Sequence, residues 1–295
     1  MKKILLKKIS KFLKKKMEST IYSTDKLYKA IVLNHPSKVC KSPYLADVAI
    51  YNHKEKLIEE NVMAHTPALG CCGYVTTDSV VYCTKSTSKT SKSKYVIQHA
   101  QMRDINIRVG INPMLANPIV KELLLKNKIP PFKNIKKLKQ EVTIGDSRFD
   151  FSFEYKKKKV ILEVKNVPIA DVVDVDNKTK KKMDLSKFDP YEKIAMFPHG
   201  YRKNVNEPIS ERAVKHTNHL AKIAQDEDED ITCAIVFLIQ RTDVAYFQPT
   251  TIDPFYRESL YNASDAGVHI IPICVEWDDN ECKFSKILKM TPREE

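Results

Sequence analysis

Two neighbouring stretches near the middle of the chain, SRFDFSFEY (147–155) and KVILEVKNV (159–167), alternate in polarity and are separated by a short lysine run. In the first, Phe149, Phe151, Phe153 and Tyr155 fall on one side and Arg148, Asp150 and Ser152 on the other, the period of two that a β-strand imposes. In the second, Val160, Leu162 and Val164 share one side and Ile161, Glu163 and Lys165 the other. A two-residue turn inside 156–159 predicts an antiparallel hairpin in which facing residue numbers sum to an odd value. Asp150 then shares its face with Glu163 and Lys165, so one face is expected to pack a core and the other to present a polar site.

Two carboxylates and an ammonium crowded on a strand pair are electrostatically costly unless something uses them, and a divalent cation is the usual user. Asp150, twelve residues, then Glu163-Val164-Lys165 is a spacing that can hold Mg²⁺ or Mn²⁺ through the two side chains and the Val164 carbonyl, with water completing the shell. Lys165 would then orient or deprotonate the water that attacks a phosphodiester. A surface ion-pair reading of the same three residues stays open at this stage.

The chain has 295 residues, 42% of them hydrophobic, enough for one large or two modest cores. A formal charge of +13, with Lys far more frequent than Arg, favours a polyanionic partner and phosphate attraction over bidentate base reading. Seven cysteines without a C-x-x-C spacing indicate neither a disulfide framework nor a zinc site. The expectation is a protein of the cytoplasm or another reducing intracellular compartment, not secreted and without a membrane span. Residues 1–17 carry eight Lys and no acid around a loose apolar stripe, an amphipathic basic arm that reads as a solvated extension, a phosphate-gripping arm or a membrane-surface or targeting helix.

Four organisational units are expected: the arm (1–40), a small all-β barrel (41–102), an α/β domain (103–280) and a C-terminal tail (281–295). In the barrel, short apolar stretches at 44–51, 61–65, 79–83 and 95–99 alternate with polar turns, and Tyr44, Tyr74, Tyr82 and Tyr95 are available for stacking. The run TKSTSKTSKSK (84–94) reads as a polar loop whose Lys92 and Lys94 could touch phosphate. After residue 103, Leu115, Ile119, Leu123 and Leu124 at helical spacing predict a helix before Pro130-Pro131, with Glu122 off its apolar stripe. Further expectations are a charged insertion at 167–191, a helix over 210–225 capped by Ser210, a doubly buried strand at 231–240, a helix over 254–266 and a strand at 268–275.

The runs VGINPMLANPIVKELLLKNKI, EVTIGDSRFDF, LEVKNV, AMFP, AVKH, VFLIQRTDVAYFQP and IDPFYRESLYNASDAGV resemble, in order and spacing, the sugar fermentation stimulation protein A family. That resemblance implies an OB-like barrel followed by a mixed-sheet α/β domain of the restriction-endonuclease-like PD-(D/E)xK superfamily, associated with DNA binding. It places the superfamily's metal acids on Asp150 and Glu163, its lysine on Lys165 and its first-helix acid on Glu122. Gln240 could bond a metal-bound water or phosphate, or face solvent at a strand end, and Arg241 could clamp phosphate. Arg148 either pairs with Asp150 or meets the substrate backbone, and Lys215 and His216 either contact phosphates or sit on a solvated helix face. The implied activity is a Mg²⁺- or Mn²⁺-dependent nuclease acting on DNA, with a non-catalytic DNA-binding regulator as the alternative. The oligomeric state is left open, a homodimer included.

Overall fold

The computed structural model describes residues 19–103, 105–200, 204–226 and 230–293. The expected basic arm at 1–17 lies outside the described residues.

Five strands close the barrel: β2 (Tyr28–Asn34), β3 (Leu45–Tyr51), β4 (Leu57–His65), β5 (Val80–Lys85) and β6 (Tyr95–Gln101). β2 pairs antiparallel with β3 and β5, each of which pairs with its sequence neighbour, and β4 closes the ring by running parallel to β6 at Ala64↔Tyr95 and His65↔Val96. This is an OB-like order with no free edge inside the ring. Ala30, Val32, Val48, Ile50, Val81, Cys83 and Ile97 fill the interior. β7 (Arg108–Gly110) adds to the outside of β6 and leads into the second domain.

The barrel therefore begins at Tyr28, inside the stretch expected to be an arm. YKAIVLN hides its alternation because the inward side carries a small Ala30 and the outward side an Ile31, so apolarity does not mark the face. The C-terminal expectation changes as well. β16 (Glu281–Ile287) pairs with β15 (His269–Asp278), and β1 (Thr20–Ser23) pairs with β16, so both chain ends enter one sheet.

That sheet has seven strands in the order β1-β16-β15-β13-β10-β9-β8, with β8 (Lys136–Ile144), β9 (Ser147–Tyr155), β10 (Lys158–Val167) and β13 (Ile231–Ile239). β10, β13 and β15 are mutually parallel, and antiparallel strands flank them on either side. One face is covered by α1 (Ala116–Leu125), whose Ile119, Val120, Leu123 and Leu124 pack with Phe151, Phe153, Leu162 and Val236. Each such fully buried side chain contributes roughly 1.5–3 kcal/mol of transfer free energy. The other face carries α3 (Glu211–Gln225), α4 (Pro254–Asp265) and a three-stranded sheet of β11 (Ala170–Asp171), β12 (Lys193–Phe197) and β14 (Val244–Pro249). The charged insertion holds one short helix, α2 (Asn177–Lys180).

The hairpin forms in the expected register, from Tyr155↔Lys158 to Phe151↔Leu162, around a two-residue turn in which Lys156 (φ 49°) and Lys157 (φ 68°) are left-handed. Its faces differ from expectation. Phe151 and Phe153 pack on the α1 side, whereas Phe149 packs with Ile161 on the α3 side, so the alternation of β9 breaks at Asp150. Both faces of the sheet are core. The polar residues occupy a notch at the end of the strand pair instead of a solvated face, because helices cover the sheet on both sides.

Candidate active site

The β9–β10 ladder ends at Phe151↔Leu162, and the next residue of β9 is Asp150. One oxygen of the Asp150 carboxylate accepts the Val164 backbone N–H at 2.7 Å, taking the place of a strand-to-strand bond. The other accepts from the Asn117 amide at 2.7 Å, reached from the first turn of α1. Glu163 precedes Val164 on β10, close enough for its charge to act on Asp150. Its Oε1 accepts from Lys165 Nζ at 2.7 Å and lies 2.8 Å from His216 Nδ1, which must donate to an ionised carboxylate. His216 is held by α3, whose start is set by Ser210 accepting the Ala213 N–H.

Burial and the neighbouring Glu163 charge raise the Asp150 carboxyl above its ordinary range, against the bonds from Val164 and Asn117. At Glu163 burial also opposes ionisation, but the His216 bond and the Lys165 ammonium outweigh it and hold the carboxyl below the usual range. Glu163 is 4% exposed and its Oε2 is buried without a hydrogen-bond partner. An ionised oxygen left bare in a low-dielectric notch, beside a second carboxylate whose charge burial disfavours, is the environment a cation relieves. Among the described residues no group of three His, Cys, Asp or Glu side chains gathers as a metal site. A cation here would take the two carboxylates as its side-chain ligands and complete its shell with a backbone carbonyl and water, which suits a hard ion such as Mg²⁺.

Other expected residues land elsewhere. Glu122 stands five residues beyond Asn117 on α1, a rotation of about 140° from it, and pairs loosely with Lys126 at 3.9 Å. Lys126 grips the carbonyls of Thr20 and Ile21 in β1, so the Glu122 face of α1 turns to that edge of the sheet. Gln240 and Arg241 are fully buried and do not face a groove. Gln240 accepts from Trp277 Nε1 at 3.0 Å, donates to Asn166 at 2.7 Å and offers its carbonyl to the Gly110 N–H of β7 at 2.9 Å. Arg241 binds Asp243 through two nitrogens at 2.7 and 2.6 Å, and reaches the Tyr74 hydroxyl at 2.6 Å and the Pro168 carbonyl at 3.0 Å. Their position at the end of β13, where the barrel docks, makes them a clasp between the two domains.

Arg148 and Lys215 do lie together. With Glu211, Arg212 and His216 they line a groove of about 620 Å³ against the carboxylate site. Both are exposed; Arg148 pairs loosely with Glu141 at 3.7 Å, whereas Lys215 forms an ion pair with Asp146 at 2.8 Å. Lys92 and Lys94 are on the barrel loop after β5, where Lys94 pairs with Glu59 at 2.8 Å. Sequence reasoning missed Asn117 and Arg212, and it left His216 between a phosphate contact and a solvated helix face, whereas the imidazole is buried against Glu163. Only the spacing of Arg212 and His216, one helical turn apart, hinted at a shared face.

A closed OB-like barrel clasped to a mixed sheet, with an acid-acid-lysine notch at the hairpin end, defines a two-domain α+β protein. The family model described as "Sugar fermentation stimulation protein RE domain" matches residues 114–177 and 181–281, more than half of the chain, and the chain belongs to that family. The short break in the match falls at α2, within the charged insertion. Curated sugar fermentation stimulation protein homologs include one from Desulforamulus reducens, 26% identical over 226 residues (76% of this chain and 81% of the relative). Another, from Alteromonas mediterranea, is 28% identical over 238 residues (78% and 87%). The solved structure titled "The structure of Pyrococcus Furiosus SfsA in complex with Ca2+" superposes with a TM-score of 0.69 at 20% identity, covering 92% of this chain and 99% of that one, and has the same fold. Among the described residues no helix is long and apolar enough to cross a membrane.

Proposed function

We propose that this protein is a divalent-metal-dependent nuclease that hydrolyses phosphodiester bonds in DNA, with Asp150, Glu163 and Lys165 as its reacting centre. The observation that carries the reading is the bare, buried Glu163 Oε2 beside the elevated Asp150 carboxyl. Support also comes from the resemblance to the PD-(D/E)xK superfamily, and from the Pyrococcus relative, which is titled as a Ca²⁺ complex. Asp150, Glu163 Oε2 and the Val164 carbonyl would hold Mg²⁺ or Mn²⁺. Such an ion supplies Lewis acidity at the phosphate and lowers the pKa of water.

The chain's own residues do the rest. Lys165 Nζ, anchored on Glu163 Oε1, is placed to orient the attacking water and to meet charge developing on the phosphate. His216 and Lys165 together occupy Oε1 and so turn Oε2 toward the ion. Arg148, Arg212 and Lys215 give the strand's phosphates a basic groove leading to the notch. The test is cleavage of end-labelled single- and double-stranded DNA in Mg²⁺, Mn²⁺ or EDTA. Wild type should cut only with metal, and Asp150→Asn and Lys165→Met should each lose about 100-fold or more while still binding DNA. A wild type that binds and never cuts would replace this reading with a DNA-binding regulator on a nuclease scaffold.

A further inference from the structure

The helix that carries Asn117 starts on the barrel. Asn112, 5% exposed, lies between β7 and a short 3-10 turn (Pro113–Leu115) that runs directly into α1. Its Oδ1 accepts the Met114 N–H at 3.0 Å. A backbone N–H can only donate, so this contact turns the Asn112 amide nitrogen the other way, onto Gln98 Oε1 of β6 at 2.7 Å. Gln98 Nε2 is turned in consequence to Thr84 Oγ1 of β5, at 2.9 Å. Thr84, Gln98 and Asn112 are all buried. Backbone bonds from Ile111 and Asn112 to the Gln98 carbonyl tie down the chain before the turn, and the Asn112 side chain carries the connection from the barrel to the start of the helix. At the second residue of α1, Asn117 donates to Asp150 Oδ1 at 2.7 Å, and Asp150 Oδ2 accepts the Val164 N–H.

We propose that Gln98 and Asn112 are positioning residues for the notch: through the start of α1 they set where Asn117 meets Asp150, so the barrel shapes a carboxylate that lies in the other domain. The inference rests on the reading of the notch as a metal site. A buried amide with its bonds filled has one low-energy orientation, and a helix fixed at its cap carries that orientation into its first turn as a rigid element. Asn117 supplies a donor and no charge, so its placement decides how the Asp150 carboxylate turns its remaining lone pairs toward an ion.

The test uses variants of the full chain. Asn112→Ser keeps an oxygen for the Met114 N–H and gives up the bond to Gln98, and Gln98→Met removes the same bond from the barrel side. Tyr261→Phe, which loses a buried hydroxyl bonded to Thr291 and Pro292 outside this chain of bonds, is the control. In metal-free protein the amide resonance of Val164, followed by NMR with isotope-labelled valine, should move in Asn112→Ser and Gln98→Met in the direction set by Asn117→Ala. By titration calorimetry, Mn²⁺ affinity should fall about tenfold in Asn117→Ala and about threefold or more in Asn112→Ser and Gln98→Met. The double variant of Asn112→Ser and Asn117→Ala should bind no more weakly than Asn117→Ala alone. Tyr261→Phe should change neither readout. A Val164 resonance that stays in place in Asn112→Ser and Gln98→Met, an Mn²⁺ affinity equal to wild type in both, or losses that multiply in the double variant would overturn the proposal, since a loss of stability alone moves neither readout. A wild type that binds no Mn²⁺ would overturn the metal reading instead, and the Val164 resonance would still decide this one.

Discussion

At Glu163 the two carboxylate oxygens have opposite surroundings: Oε1 takes two donors and Oε2 none. His216→Leu removes one of the groups that fix this orientation. Mn²⁺ affinity measured by titration calorimetry should fall about 10–100-fold, and His216→Gln, which restores an N–H donor, should recover part of it. A second buried histidine reports on pH. His99, in β6, packs its ring 4.1 Å from that of Trp277 in β15, and both its nitrogens are buried without partners. Burial, assisted by the Arg108 charge, pushes its pKa down to about 3 from 6.5. The unfolded chain therefore binds a proton that the folded chain refuses. This contribution to stability is complete above pH 6.5 and is lost as pH falls toward about 3, with a slope of up to about 1.4 kcal/mol per pH unit. Urea unfolding of wild type and His99→Phe at pH 7 and pH 5 should show a shallower pH dependence in the variant. That Asp150, Glu163 and Lys165 come together was legible in the sequence because strand period and turn length are local. Asn117 and His216 were not, since they come from helices 33 and 53 residues away from the carboxylates they touch.

At the scale of elements, capping and periodicity located the helices well. Ser210 caps α3 as expected, and Asp253 with Pro254 starts α4. The hairpin register followed from its turn, whose second residue, Lys157, holds φ at 68°. A left-handed non-glycine residue costs about 1–2 kcal/mol, so Lys157→Gly should raise the melting temperature by about 2–4 °C, as read by thermal unfolding followed by circular dichroism. The strands that escaped, β2, β12, β14 and β16, are short or have an apolar residue on the wrong side of the alternation, and their pairing comes from neighbours distant in sequence. The break between Phe149 and Phe151 was equally hidden, because four aromatic residues at a period of two read as one face until two helices claim different members of the set.

The whole molecule is joined at the end of β13. Asp243 is fully buried between Arg241 and Lys193. Burial opposes its charge, but the Arg241 and Lys193 contacts outweigh this and hold its carboxyl below the ordinary range. Asp243→Asn leaves Arg241 buried and underpaired and should cost about 3–5 kcal/mol, seen as a lower denaturant midpoint and as earlier proteolytic release of the barrel. Gly110 makes the companion contact. A Cβ there would stand 2.1 Å from Gln240 Oε1 and 2.6 Å from Trp277 Nε1, so Gly110→Ala should loosen the same junction by about 1–3 kcal/mol. By itself the sequence determined the hairpin, its register, the main helices, the doubly buried strand and the three residues most suited to chemistry, because each rests on periodicity, caps or turn length within a few residues. Only the tertiary structure decided which faces became core, where the barrel begins, and that Gln240 and Arg241 bind the two domains together. Those outcomes depend on pairings between distant segments and on which polar groups lose their water when the domains dock.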